Sequence, residues 1–85
     1  MGILEDAGWS RLQDSASAYK KNGFYILHTR AIHPGSLIEQ CNPWILEKSH
    51  AYYLIEVASN SSSKVLNSSH DLKELIVIVK LMGLL

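Results

Sequence analysis

Four side chains between positions 28 and 50 carry donors that could hold a soft metal: His28, His33, Cys41 and His50. They are separated by four, seven and eight intervening residues. A structural zinc site needs four such donors converging at about 2 Å in a tetrahedron. Short Cys-x2-Cys or His-x3-His pairs build half of that geometry locally, and neither occurs here. Convergence would rest wholly on the fold, so His28 and His33 are expected as solvated or structural histidines. Cys41 could also serve as a nucleophile with His50 as its base. That chemistry needs a base within hydrogen-bond reach and a lowered thiol pKa. A free cysteine more commonly packs as a small hydrophobe, and Cys41 is expected to do so. There is no glycine-rich phosphate loop, nucleophile elbow or paired-metal motif. The sequence therefore predicts no catalytic set, no metal and no cofactor.

The carboxylates add little chemistry. Glu5 and Asp6 fall where a first helical turn would welcome negative charge, and Glu39 has the spacing of a capping residue. Glu56 stands within Tyr-Tyr-Leu-Ile-Glu-Val and is expected to face solvent. The run Leu54-Ile55-Glu56-Val57-Ala58-Ser59, followed by Asp71-Leu72-Lys73-Glu74 and Gly83, loosely resembles the second half of the restriction-endonuclease-like nuclease core. In that family a strand carries a metal-binding Glu and a nearby Lys assists hydrolysis. The resemblance covers about a third of the chain. No Asp lies between Asp14 and Asp71 to match the family's upstream ligand. The Mg²⁺ site would be incomplete without it, and the activity is not carried over.

Composition narrows the remaining classes. Eight basic residues balance eight acidic ones, and only Lys20-Lys21 are adjacent cations. Phosphate-gripping proteins rely on a cationic surplus, so nucleic acid is disfavoured as a partner. Near-zero charge also gives little colloidal repulsion, which suits self-association or a protein partner. Leu, Ile, Val and Phe make up 25 of the 85 residues, well above the level at which disorder becomes the default. One cysteine cannot form an internal disulfide, and residues 1–6 lack a signal-peptide pattern. A reducing, cytoplasmic setting follows as the expectation, with the sequons at Asn60 and Asn67 unused.

These residues must be positioned by a few short elements. Trp9, Leu12, Ala16 and Tyr19 recur at helical spacing and predict one amphipathic helix over 3–20, tolerating Gly8 and ending at Gly23. Residues 24–32 are rich in aromatic and β-branched side chains and predict a strand. His33-Pro34-Gly35 predicts a turn. Ser36-Leu37-Ile38-Glu39 has capping-box spacing, and Asn42-Pro43 restarts a helix to about residue 49. Residues 51–58 are open between strand and helix, with Tyr52, Tyr53, Ile55 and Val57 favouring strand. Residues 59–63 read as a loop.

The C-terminal stretch is the most apolar. Ser68 and Asp71 have capping spacing, and Leu72–Leu85 contains only Lys73, Glu74, Lys80 and Gly83 as non-apolar residues. Helix and buried strand both fit residues 72–82. A spanning helix needs about 20 apolar residues, and eleven remain from Leu75.

The sequence thus predicts a small single α+β domain over 1–85. An N-terminal amphipathic helix would pack on a short sheet, completed by an apolar C-terminal helix or strand; an all-α arrangement is the alternative. The expected function is a non-enzymatic interaction or assembly module that binds a protein partner or itself. Apolar side chains beyond what one small core needs mark an interface. Trp9, Trp44, Tyr52 and Tyr53 are the expected aromatic anchors, with Leu75, Ile76, Ile78 and Leu81 on the C-terminal segment. The competing readings are a metal-dependent or Cys-nucleophile enzyme, a peripheral protein on a membrane surface, and a fragment without dedicated function.

Overall fold

A left-handed glycine decides how the N-terminal segment folds. In the computed structural model, which describes residues 2–12, 18–47, 50–59 and 62–84, Gly8 takes φ +98°. Its amide donates to the Glu5 carbonyl and the Trp9 amide to Leu4, closing a helix that spans only Ile3–Asp6 (α1). Glycine adopts this backbone without the Cβ penalty that other residues carry. The expected helix over 3–20 is therefore corrected: Ser10–Arg11 (β1) and Ala18–Lys21 (β2) are strands, and 13–17 lie outside the described residues. Asn22-Gly23, read as a helix stop, is the two-residue turn between β2 and Phe24–His28 (β3). Asn22 there has φ +55°, a conformation Asn tolerates better than most residues.

The ambiguity at 51–58 resolves to strand, Tyr52–Val57 (β4), and the structure adds Ser63–Ser69 (β5), which sequence reasoning missed. The five strands form one antiparallel sheet in chain order. Between Leu54/Ile55 and their β5 partners the register shifts, pairing Leu54 with Asn67 and Ile55 with Val65. Leu66 is the extra residue of this bulge. The fold is thus α+β, and the all-α alternative is excluded by this sheet.

Strand alternation sorts the apolar side chains into two cores. Tyr19, Ile26 and Leu54 join Leu4, Trp9, Leu75 and Val79 in one cluster. Ala18, Leu27, Tyr53 and Ile55 join Ile32, Ile45 and Ala51 in the other. The first is roofed by α1 and by a ten-residue helix, Leu72–Leu81 (α3), which resolves the helix-or-strand question at 72–82. Asp71, rather than Ser68, caps α3 by accepting from the Lys73 amide at 3.0 Å.

The second core is roofed by shorter pieces: the 3₁₀ turn Thr29–Ala31, the helix Leu37–Cys41 (α2) and the 3₁₀ helix Pro43–Glu47. Ser36 Oγ caps α2 from the Glu39 amide as its spacing predicts. Glu39 reaches back one residue further than a capping box requires, accepting from the Gly35 amide. Among the described residues, no helix is long and apolar enough to cross a membrane.

Candidate functional site

The stretch after β3 leaves the sheet before the next helix can cover it. His28 ends the strand, Thr29–Ala31 turns tightly, and the Ser36 amide closes on the His33 carbonyl at 3.1 Å. This path runs past Ala18, Tyr25 and Leu27 and borders a half-open cavity of about 470 Å³, lined also by Leu12, Ile32 and Ile38. Its size falls within the range of small-molecule sites, which are mostly apolar with a few placed polar groups. Arg30, His33 and Ser36 are the polar members of its wall.

Arg30 is held from behind. His28 Nδ1 accepts from the Arg30 backbone amide and from its Nε, both at 3.2 Å. An imidazole accepting at Nδ1 is neutral and carries its proton on Nε2, an assignment that follows from these donors. Burial pushes the His28 pKa below its ordinary value, reinforced by the charges of Arg30 and His50. The ring is further fixed edge-on against Tyr52, with centroids 4.7 Å apart. His28, Thr29, Arg30 and His50 also line a smaller cavity of about 210 Å³, so Arg30 stands between the two. Because Nε points back to His28, the outer guanidinium nitrogens remain for a ligand, and Arg30 forms no ion pair among the described residues.

The residues singled out by sequence divide between core and surface. Trp9 and Tyr53 are buried in the core, and among the described residues the Trp9 indole N–H has no hydrogen-bond partner. Burial raises the Tyr53 pKa, opposed more weakly by a side-chain hydrogen bond with Thr29. Tyr52 is half-buried beside His28, while Trp44 is exposed and meets Tyr53 edge-on at 6.1 Å. Leu75 is core; Ile76 and Ile78 are half-buried against the same cluster. Leu81 projects outward, 82% exposed, and Val77 beside it is 57% exposed. Sequence reasoning did not single out Val77 or Arg30. Val77 sits one turn before Leu81, a spacing that could have found it.

The soft donors remain scattered. His28 and His50 rings lie 6.3 Å apart, whereas His33 and Cys41 are exposed elsewhere. Cys41 is thus not the buried packing residue expected, because α2 is one short turn and a half and leaves its C-terminal end in solvent. Among the described residues, no group of three or more His, Cys, Asp or Glu could hold a metal ion. Glu56 is exposed on β4 as expected, and the nuclease-like resemblance gains no ligand partner for it. Comparison with protein-family models, curated proteins and solved structures yields no match to this chain.

Proposed function

We propose that this protein is a non-enzymatic assembly module that pairs with a second copy of itself through the outer face of α3. The observation that carries this reading is the exposed Val77–Leu81 stripe, bordered by Lys73, Glu74 and Lys80. Its inner neighbours Leu75 and Val79 are spent on the core, so the interface is narrower than the apolar sequence alone suggests. An isologous contact uses the same patch on both copies, so that residue i meets j and j meets i. With antiparallel helices and the twofold axis at Val77, the two Val77 side chains form the centre, and Leu81, one turn along on the same flank as Glu74, extends it. The Glu74 carboxylate itself accepts from the Ser69 hydroxyl of its own chain at 2.8 Å.

A ten-residue helix is about 15 Å long, so the contact is small and the dimer weak on the scale of specific interfaces. Near-zero net charge and the exposed, unpaired Cys41 fit concentrated protein in a reducing cytoplasm. Sedimentation equilibrium over a concentration series tests the reading. Val77→Asp should leave a monomer at every concentration. Leu81→Lys should weaken association as well. A wild-type chain that stays monomeric at millimolar concentration overturns the proposal, as does a folded Val77→Asp variant that associates as the wild type does.

A further inference from the structure

On the sheet face opposite α3, we infer that the cavity under Arg30 binds a small amphipathic carboxylate, its apolar body on Leu27, Ile32 and Ile38 and its head on the Arg30 guanidinium. Three observations select this ligand class. The cavity of about 470 Å³ is walled chiefly by aliphatic side chains, so an apolar body is required. Among the described residues no carboxylate lines it, and the acidic group of the arch, Glu39, is turned to the Gly35 amide. Among those residues Arg30 is therefore a cation without an acidic partner at an apolar opening.

Its geometry is also fixed in advance. His28 holds Nε and the backbone amide of Arg30 together, which removes much of the side-chain freedom that binding would otherwise have to restrict. The two remaining guanidinium nitrogens form a fork that matches a carboxylate. On the Tyr25 wall, Lys20 Nζ lies 5.5 Å over the ring centroid and adds positive charge to the same side. A neutral ligand would leave that charge unmet; a dianion would have one charge held over aliphatic walls. A single carboxylate on a short apolar chain meets both conditions.

Octanoate and octan-1-ol, differing only in the head group, are the probes, titrated into the full chain and followed by amide and methyl shifts. Octanoate should saturate, with the largest changes at Leu27, Arg30 and Ile38, and octanol should bind more weakly. Arg30→Gln should weaken octanoate at least about tenfold and leave octanol unchanged. Ile38→Trp, which fills the cavity, should remove both. Amide dispersion in the same spectra reports folding, and Arg30→Gln, a surface change, keeps the test valid if Ile38→Trp unfolds. Absence of saturation, equal binding of the two probes, indifference to Arg30→Gln, or binding retained in a folded Ile38→Trp variant each overturns the inference. Val77→Asp, which disrupts the proposed dimer, should leave octanoate binding intact.

Discussion

The two faces of the sheet are covered by different means, and the difference accounts for where the molecule has room. On one face a single ten-residue helix lays Leu75 and Val79 onto Ile26 and Leu54, and all four are shut off from solvent. On the other face the cover is a five-residue helix and two 3₁₀ segments. Such short pieces cannot present two full turns of side chains to a sheet. Ile45 and Ile32 close part of that face, and the remainder is the cavity beside Arg30. A continuous helix seals a surface; a chain that keeps turning leaves gaps, and gaps are where ligands bind.

The sharpest way to break this comparison is truncation on each side. Leu75→Ala, inside the sealed face, should cost roughly 3–5 kcal/mol in urea denaturation, because the space it leaves cannot collapse. Leu27→Ala should cost only about 2 kcal/mol, since Leu27 already lacks neighbours on its cavity side. Equal losses would mean the two faces are equally well packed. Enlargement gives the converse. Val79→Phe should cost about 1–3 kcal/mol through overpacking, whereas Ala31→Leu, directed at the cavity, should be neutral or stabilising.

The helix caps give a smaller contrast. Asp71→Ala should remove about 1 kcal/mol, because α3 carries much of its core. Ser36→Ala should remove only about 0.5 kcal/mol, the lower end of cap losses, because α2 has no fully buried residue. Both are measurable by thermal unfolding.

The smallest effect is one of pH. The His28 pKa is lowered in the fold by burial, Arg30 and His50. Below the ordinary histidine value of about 6.5 the unfolded chain takes up a proton that the folded chain resists. Stability should therefore be unaffected above that value and decline as pH falls through the window beneath it. His28→Gln should flatten this part of the stability–pH curve relative to wild type; an unchanged slope would show that another group carries it.

Much of the sheet centre and of α3 was legible because local and tertiary demands agree there. Aromatic and β-branched residues at 24–28 and 52–57 make strands whose residues 26–28 and 53–55 are buried on both faces, and Ser36 caps where its spacing says. The N-terminal segment was illegible for a specific reason. Trp9, Leu12 and Tyr19 have helical spacing, yet Trp9 and Tyr19 pack on one side of the sheet and Leu12 on the other. The deciding information was in Gly8 and in the Asn22-Gly23 turn, and both were read as helix features. β5 escaped because Ser-Lys-Val-Leu-Asn-Ser-Ser is the composition of an edge, half in solvent, without an apolar run. In the candidate site, Arg30 is one cation within the segment 24–32 that its composition marks as strand. Its role depends on His28 turning back to hold it, which spacing cannot reveal.

The bulge at Leu66 has a consequence for strand addition at the sheet edge. A straight outer strand offers its free amides and carbonyls as a template on which further chains can be laid, the route by which sheets grow into fibres. Here the extra residue breaks the even spacing along β5, and Lys64 places a charge on the same strand. At the other edge β1 is only two residues long. Neither border can be copied residue for residue by an incoming strand. The dimer proposed through α3 has no competitor in open-ended strand addition at these two edges.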